Sequence, residues 1–428
     1  MNLFGAELLR GKTQPITHEQ VSKAYRKVKR NKGAGGIDGK SIAIYESSLS
    51  NELYQLWNRM ASGSYFAQGV KGVEIPKKDG SYRLLGIPII ADRVAQQVAK
   101  SAIEPILERE FHADSYGYRP NKSAHKALAK CLERSRQHSW AIDLDIKGFF
   151  DNIDHDLMMK ILRKYIKEDW ILLYVERWLT SPMHLPDGSI KERTKGTPQG
   201  GVISPLLANL YLHVVFDTWM EQYAETSFGK VRWERYADDI IIHCNGEHQA
   251  YFLLKQIKER FLEYHLELHP QKTKIVFCKQ ANRRGNYHLV SFDFLGHTFR
   301  PQLMLKKQGK NRGKHILGYG VGLSQKSKKH LIAQLRKRRF HRATGATLQE
   351  IASSLAPMLR GWMNYFRRYC ATTLEDVFSA LNERLVNWLT NKYKRYRRRK
   401  NKARERLIEL ARDYPNTFVH WRYGYVPY

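Results

Sequence analysis

Cysteine and long apolar runs are both scarce in this chain of 428 residues. The four cysteines stand far apart and no two are separated by two residues, so we expect neither a disulfide framework nor a structural zinc site. No apolar run reaches the roughly 18 residues of a membrane-spanning helix, and the start MNLFGAELLRGK lacks the apolar core of a signal peptide. We therefore expect a soluble, intracellular, cytoplasmic protein.

Acidic residues are also few, with 41 Asp and Glu against 73 Lys and Arg, a formal net charge of +32. Residues 301–428 hold 29 basic and 7 acidic side chains, a net charge of +22, whereas the first 300 residues hold 44 and 34, a net charge of +10. Such an excess favours a polyanionic partner. The apolar stripes of the basic region are needed for packing, which favours nucleic acid and argues against a membrane.

Strand and helix patterns alternate up to about residue 300, and helical patterns dominate afterwards, which indicates an α+β body followed by an α domain. Helices are predicted over 18–33, 50–60, 92–110 and 248–264, strands within 72–88, 139–146 and 231–244, and an exposed loop or ribbon over 306–320. Thr347 and Glu350 have capping-box spacing. A long helix is predicted over 374–400, with the basic run YKRYRRRK at its end.

Two sets of carboxylates occur at strand ends. Asp238 and Asp239 occupy the turn of the hairpin VRWERYADDIIIHC, and Asp143 and Asp145 alternate with apolar residues in the strand SWAIDLDI. Asp is a common turn residue, so Asp238 and Asp239 could serve the turn alone. Asp143 and Asp145 could simply be solvent-exposed residues of a strand, and both structural interpretations stay open. Converging carboxylates from two segments could instead hold the two metal ions, about 4 Å apart, of phosphoryl-transfer catalysis. Periodicity does not choose between Asp143 and Asp145.

Several ordered motifs resemble those of the reverse transcriptase/maturase proteins encoded by bacterial group II introns. The palm motifs are similar to YADD (236–239), DIKGFFDNIDH (145–155) and GTPQGGVISPLLANL (196–210). The remaining similar stretches are RNKGAGGIDG (30–39), IPKKDGSYRLLGIP (75–88), HPQKTKIVF (269–277), FLGHTF (294–299) and GWMNYF (361–366).

The resemblance implies a right-hand polymerase followed by an all-α thumb/maturase domain. Residues 1–65 would form an N-terminal extension of the fingers, 66–300 the fingers and antiparallel palm, and 301–428 the basic thumb/maturase domain. The implied protein is an RNA-directed DNA polymerase that binds structured intron RNA, assists splicing and copies the RNA into cDNA by target-primed reverse transcription. Its partners would be an RNA template, the intron RNA, a DNA primer or target and dNTPs, in a nucleoid-associated ribonucleoprotein.

By the same resemblance, the metal ligands are Asp145, Asp238 and Asp239, with the backbone carbonyl of Ile146 as a further ligand. The ions would be two Mg²⁺, for which Mn²⁺ can substitute. The family motif opens at Asp145, which leaves Asp143 a supporting or structural role.

The resemblance also assigns contacts to the incoming nucleotide. Phe150 would exclude a 2′-OH, Gln199 would hold the sugar or template base beside two permissive glycines, and Lys272 would donate a proton to pyrophosphate. Lys77 and Arg83 would clamp the triphosphate from the fingers turn. The alternatives are a core ring for Phe150, solvated hairpin charges for Lys77 and Arg83, and a surface lysine for Lys272.

Basic side chains interleaved with tyrosines suit phosphate contact and base stacking. The expected nucleic-acid contacts are Arg119, Lys394, Arg395, Arg397, Arg398 and Arg399. The aromatic tail 413–428 is expected to cap the thumb.

One departure from the family pattern is the lack of the Cys and His spacing of a C-terminal endonuclease domain, so the chain resembles the endonuclease-lacking, group IIC-like lineages. Alternatives are a group II-like reverse transcriptase of DNA repair or phage defence, a non-catalytic RNA-binding maturase, and an RNA-templated RNA polymerase, which Phe150 disfavours.

Overall fold

The computed structural model describes residues 13–76, 82–224, 231–305 and 313–428. The chain divides into two compact units. The first contains the described residues up to Ala127 together with Ile142–Lys274, and the second contains Leu128–Ala141 and Ile275–Tyr428. The fold is α+β in the first unit and largely helical towards the end of the second, as predicted.

Helices and strands of the described residues are numbered in chain order. The helices are α1 His18–Arg30, α2 Ile42–Ser47, α3 Leu49–Ala61, α4 Ile90–Glu110, α5 Ala124–Gln137, α6 Phe149–Asn152, α7 His155–Tyr165, α8 Asp169–Thr180, α9 Ser204–Leu212, α10 Glu247–Glu263, α11 Gln325–Arg338, α12 Leu348–Cys370, α13 Glu375–Lys392 and α14 Lys400–Asp413. The strands are β1 Val70–Pro76, β2 Tyr82–Ile87, β3 Trp140–Leu144, β4 Met183–His184, β5 Ile190–Lys191, β6 Arg232–Tyr236, β7 Asp239–Cys244, β8 Lys274–Phe277, β9 Phe292–Phe294, β10 His297–Leu305 and β11 His315–Leu323. The boundary between the units falls inside α5, β3 and β8.

The N-terminal helices of the first unit form where the sequence pattern predicts them. In α1, Thr17 and Gln20 form a capping box, and the predicted apolar stripe of Val21, Tyr25 and Val28 is buried. Helix α3 starts one residue before the predicted range and ends one residue after it, and α4 starts two residues before.

Two sheets shape the first unit. One has the strand order β2-β1-β4-β5, in which β1 and β2 pair in antiparallel fashion from Lys71↔Ile87 to Pro76↔Tyr82, as predicted. The fingers turn between them, with Lys77, lies outside the described residues. In the other sheet β6 and β7 form the predicted antiparallel hairpin, and β7 lies between β6 and β3. This second sheet places β3 directly beside β7, the strand that follows the hairpin turn.

Helix α9 and the chain after it are tightly packed. Serine is a common N-cap residue, but here Ile203 takes the cap position and Ser204 is the first helical residue. The Ser204 hydroxyl instead accepts a hydrogen bond from the Thr197 hydroxyl (2.8 Å). Two π-helical segments follow, His213–Asp217 and Met220–Ala224. A π-helical turn inside an α-helix often marks a site under functional constraint.

The second unit combines a small sheet with a helical core. Strands β11, β10 and β9 form an antiparallel sheet, so the part of the predicted loop or ribbon from His315 onwards is a regular strand. Helix α12 has the predicted capping box of Thr347 and Glu350. Its stripe of apolar side chains packs against those of α13 and α14 in one hydrophobic cluster.

The predicted long helix over 374–400 is wrong at its C-terminal end. Helix α13 stops at Lys392, a short 3₁₀ turn covers Lys394–Tyr396, and α14 begins at Lys400. Seven Lys and Arg residues lie within 392–400, and in a continuous helix they would stand above one another and repel. The interruption also buries the Tyr396 side chain, which is 8% exposed.

The aromatic tail packs on α13, as expected. Asn382 lies at its centre, because the Asn382 side-chain oxygen pairs with His420 Nε2 (2.8 Å) and accepts from Trp421 Nε1 (3.1 Å). The Asn382 amide donates to the carbonyl of Tyr425 (3.2 Å). Burial lowers the pKa of His420 to about 3, so this imidazole is neutral at physiological pH.

Candidate active site

The hairpin turn presents the first two candidate metal ligands. Tyr236 and Asp239 pair across the β6–β7 hairpin, so Ala237 and Asp238 form a tight two-residue turn. Ala237 has a φ of 58°, in the left-handed region that non-glycine residues seldom adopt. Asp238 is half-buried and Asp239, the first residue of β7, is exposed.

Asp145 follows directly after β3, and its backbone is held by one turn of the chain. The His269 N–H donates to the Asp145 carbonyl (2.7 Å), and the Asp145 N–H donates to the Thr273 hydroxyl (3.3 Å). Ile146 forms an isolated antiparallel bridge to Leu268. These contacts orient the Asp145 carboxylate while its side chain stays 36% exposed.

The Asp145 and Asp238 carboxylates are close enough to influence one another electrostatically. Burial raises the pKa of Asp238, the Arg83 guanidinium opposes this rise, and the Asp145 carboxylate adds to it. Asp238 therefore lies within electrostatic range of a carboxylate from β3 and a cation from β2. Asp143, two residues before Asp145, lies inside β3 and is partly buried between Ile142 and Leu144.

The donor set fits divalent magnesium. Mg²⁺ prefers carboxylate oxygens together with substrate phosphates to a cage made wholly of protein. Asp145 and Asp238 lie within electrostatic range of each other and Asp239 follows Asp238 in the chain, so their carboxylates would supply such oxygens and the negative charge that a divalent ion would neutralise. The Lys272 ammonium lies 3.7 Å from Asp145 Oδ1 and partly balances that charge.

Phe150 and Phe149 differ in exposure. Phe149 is 2% exposed and belongs to the core, whereas Phe150 is half-buried. The two rings meet edge to face with centroids 5.5 Å apart. The Phe150 carbonyl accepts a hydrogen bond from the Thr197 N–H (2.8 Å). This bond joins the backbone of Phe150 to the loop that carries Gln199.

The loop with Gln199 is packed against strand β2. The Gly86 N–H donates to the Gln199 carbonyl (3.2 Å), and a Cβ on Gly200 would lie 2.6 Å from the Gly86 carbonyl oxygen. We expected the two glycines to let the backbone approach a nucleotide, but Gly200 lets it approach β2. The Gln199 amide points toward Asp151, with its Nε2 3.3 Å from Oδ1.

Arg83 is exposed on β2 and interacts electrostatically with Asp238, whereas Lys77 lies outside the described residues. Tyr118 is a residue that sequence reasoning missed. It is 55% exposed, its ring lies 6.2 Å from that of Tyr236, and burial together with Tyr236 and Asp238 raises its pKa. The sequence signal that could have pointed to Tyr118 is the occurrence of three aromatic residues in the loop 110–120.

Arg119 differs from the expected nucleic-acid contact. Its side chain is only 4% exposed and forms an ion pair with Glu108 (2.7 Å). The guanidinium also donates to the carbonyls of His112 (2.6 Å) and Ser115 (2.8 Å). These contacts use the donor groups within the protein, so we assign Arg119 a structural role.

The basic segment of the second unit is open to solvent. Its exposed cations, which form no ion pair with any residue in the described ranges, are Lys394, Arg395, Arg397, Arg398 and Arg399. The Arg395 guanidinium lies over the Tyr396 ring at 4.6 Å. Among the described residues, no helix is long and apolar enough to cross a membrane.

Comparisons with known proteins identify the family of the chain. The reverse transcriptase (RNA-dependent DNA polymerase) family matches residues 75–299, and the group II intron, maturase-specific domain matches residues 328–406. Protein YkfC of Escherichia coli (strain K12) is 32% identical over 328 residues, which cover 68% of this chain and 82% of that protein.

Two further relatives are proteins whose names refer to introns. Group II intron-encoded protein LtrA of Lactococcus lactis subsp. cremoris is 34% identical over 194 residues, 44% of this chain and 32% of LtrA. A 91 kDa protein in the cob intron of Schizosaccharomyces pombe is 32% identical over 197 residues, 44% of this chain and 23% of that protein. The matches thus span a third or less of these two relatives. The chain belongs to the reverse transcriptase family, and within it to the group II intron type that joins a polymerase domain to a maturase-specific domain.

Proposed function

We propose that the chain is an RNA-directed DNA polymerase that binds a structured intron RNA, assists its splicing and copies it into cDNA by target-primed reverse transcription. The observation that supports the chemistry is the electrostatic proximity of Asp145 to Asp238 at the turn of the β6–β7 hairpin, where burial and then the Asp145 carboxylate raise the pKa of Asp238. The match to a maturase-specific domain supports the RNA-binding part.

The metal site would use the carboxylates of Asp145, Asp238 and Asp239 and the carbonyl of Ile146, and would take two Mg²⁺ or Mn²⁺ ions. When bound, such ions activate a primer 3′-OH and neutralise the charge that develops on the leaving pyrophosphate. The protein's own part is to hold the carboxylates in place. Lys272, whose ammonium lies 3.7 Å from Asp145 Oδ1, would donate a proton to pyrophosphate.

The incoming nucleotide would be held between the fingers and the palm parts of the first unit. Arg83 and Lys77 would bind the triphosphate, Gln199 the sugar or template base, and the half-buried ring of Phe150 would exclude a 2′-OH. Residues 301–428 would act as the thumb/maturase domain. There the exposed cations of 394–399 would contact RNA phosphates.

Primer extension on an RNA template with dNTPs and Mg²⁺ tests the proposal. We expect extension by the wild type and by Asp169→Ala, an exposed acid at the start of α8, and none by Asp238→Ala. A wild type that binds structured RNA tightly and yet extends no primer on several templates would favour the non-catalytic maturase. In that case the aspartates would be turn residues only.

A further inference from the structure

A fully buried arginine lies two residues before Ala237, beside the hairpin turn. Arg235, in β6, has a side chain with 0% exposure, paired with Asp217, which is equally buried. Arg235 Nε donates to Asp217 Oδ1 (2.9 Å) and Arg235 Nη2 to Asp217 Oδ2 (2.7 Å), a two-pronged pair. Asp217 is the last residue of the π-helical segment His213–Asp217, so the wider turn of this segment brings the carboxylate to Arg235.

The other side of the guanidinium contacts the hairpin turn and helix α9. Arg235 Nη1 donates to Asn209 Oδ1 (2.8 Å) and, at 3.4 Å, to the carbonyl of Ala237 in the turn itself. The Asn209 amide in turn donates to the carbonyl of Gly117 (2.7 Å). Every polar atom of the Asn209 side chain is therefore used in linking Arg235 to the 114–117 segment.

Gly117 closes the arrangement from outside the hairpin. A Cβ at this position would lie 2.4 Å from the Ala237 nitrogen, so only glycine lets the two backbones approach this closely. The 114–117 segment also runs along β6, because the Tyr116 N–H donates to the Arg235 carbonyl (2.8 Å) and the Arg235 N–H donates to the Asp114 carbonyl (3.1 Å).

The backbone of Ala237 is therefore contacted from two sides, by the Arg235 guanidinium and by Gly117. A non-glycine residue in the left-handed region persists only when its surroundings hold it there, and such conformations cluster at functional sites. We propose that Arg235, Asp217 and Asn209 are positioning residues that fix the backbone of Ala237 and thereby the direction of the Asp238 carboxylate toward the metal ions. This inference rests on the proposed polymerase function, which it deepens.

A purely structural ion pair is the competing explanation, and the same hairpin offers a matched control. Glu234, next to Arg235, pairs with His243 of β7 (2.7 Å), and both side chains are 0% exposed. Asp217→Asn and Glu234→Gln are both acid-to-amide changes in fully buried pairs. Both are expected to lower thermal stability, but they differ in position. The Asp217 carboxylate contacts the guanidinium that binds the turn, whereas His243, the partner of Glu234, pairs with Arg232 at the other end of β6.

The test measures metal binding as well as activity. Mn²⁺ is titrated into the full chain bound to a chain-terminated primer–template and followed by electron paramagnetic resonance, and the Mg²⁺ requirement of primer extension is measured separately. For Asp217→Asn and Asn209→Ala we expect weaker Mn²⁺ binding, a raised Mg²⁺ requirement and a kcat reduced about ten- to a hundredfold, with KM for dNTP changed little. Glu234→Gln should match the wild type in all four quantities.

The outcomes separate this inference from the proposed function. Variants at 217 and 209 that lose stability but keep the wild-type Mn²⁺ affinity and Mg²⁺ requirement would overturn the positioning role. If Asp217→Asn does not fold, Asn209→Ala decides the question alone. Weakened Mn²⁺ binding in the variants of a chain whose wild type extends no primer would support positioning and reject the polymerase. A wild type without any Mn²⁺ site that depends on Asp238 would overturn both.

Discussion

At the residue scale, the half-buried ring of Phe150 is the proposed barrier to a 2′-OH on the sugar of an incoming nucleotide. Replacing it with Ala removes the ring that would clash with a 2′-OH, so we expect Phe150→Ala to raise the ratio of rNTP to dNTP incorporation by about tenfold or more. Competitive primer extension measures this ratio. Phe149→Leu is the matched control, because it changes the neighbouring core ring at similar volume and should leave the ratio unchanged.

An unchanged ratio in Phe150→Ala would remove the sugar-gate role and leave Phe150 as a packing residue. The RNA-templated RNA polymerase would then regain weight as an alternative.

A second residue-scale prediction concerns Asp92, which accepts a hydrogen bond from the Tyr65 hydroxyl through one carboxylate oxygen while its other oxygen has no partner among the described residues. Burial raises the pKa of Asp92 from 3.8 to about 7. The folded state therefore keeps this proton where the unfolded state has lost it. The free energy of unfolding falls as pH rises from about 4 to about 7, by an amount on the order of 4 kcal/mol.

Asp92→Asn removes this titration while keeping the oxygen that accepts from Tyr65. We expect the variant to gain stability relative to the wild type as pH rises from about 4 to about 7, measured by chemical or thermal unfolding of the full chain. Asp156→Asn, at an exposed position in α7, serves as the control with no such change. A stability difference that stays constant over this pH range would contradict the raised pKa.

The sequence was sufficient to identify the candidate carboxylates, but it did not reveal the buried contacts that support the hairpin turn. The hairpin with Asp238 and the strand before Asp145 follow from local alternation and turn composition, and the family motif separates Asp145 from Asp143. The partners of Arg235, in contrast, come from Asp217 and Asn209, 18 and 26 residues away along the chain. No local pattern predicts which distant side chain a buried arginine will meet.

At the scale of elements, helix α13 and the aromatic tail depend on one another. Trp421 is 2% exposed, its ring packs against Phe418 (4.6 Å between centroids), and its indole N–H donates to Asn382. Trp421→Ala should lower the free energy of unfolding of the second unit by about 3–5 kcal/mol. Denaturant unfolding checks this, with Tyr428→Ala as the control because that side chain is 77% exposed.

A loss below about 1 kcal/mol for Trp421→Ala would mean that the tail is only loosely attached to α13.

Element boundaries show where sequence reasoning reached its limit. The predicted capping box of Thr347 and Glu350 marks the N-terminus of α12 correctly, because a cap is formed by residues close together in sequence. The end of α13 was missed. Apolar spacing continues past Lys392 into the basic run, whereas the actual stop depends on repulsion between neighbouring cations and on burial of Tyr396 against the helical core.

At the scale of the whole molecule, the uneven charge predicts how RNA binding depends on salt. Each phosphate contact contributes about 0.7–0.9 to the slope of log K against log salt. Changing Arg397, Arg398 and Arg399 to Ala together should weaken binding of structured RNA and reduce that slope by about 2–3. Filter binding or fluorescence anisotropy over a range of salt concentrations measures both quantities.

The control for charge alone removes three lysines that are already paired with acids within the protein, Lys23 with Glu19, Lys29 with Glu46 and Lys130 with Glu133. This control variant loses the same amount of net charge as the arginine variant, but its slope of log K against log salt should equal that of the wild type. Equal effects of the two triple variants would show that overall charge, and not the segment 394–399, sets RNA affinity.

The contact between Gly86 and the loop of Gln199 has a mechanical consequence. Arg83 and Gly86 lie on the same short strand, and Gly86 is bonded to the Gln199 carbonyl and packed against Pro198 and Gly200 without room for a side chain. If the β1–β2 hairpin swings toward the aspartates to close on a nucleotide, the loop must travel with it. Arg83, proposed to bind the triphosphate, and Gln199, proposed to bind the sugar or template base, would then reach the nucleotide in one movement. The hairpin and the loop would open and close together.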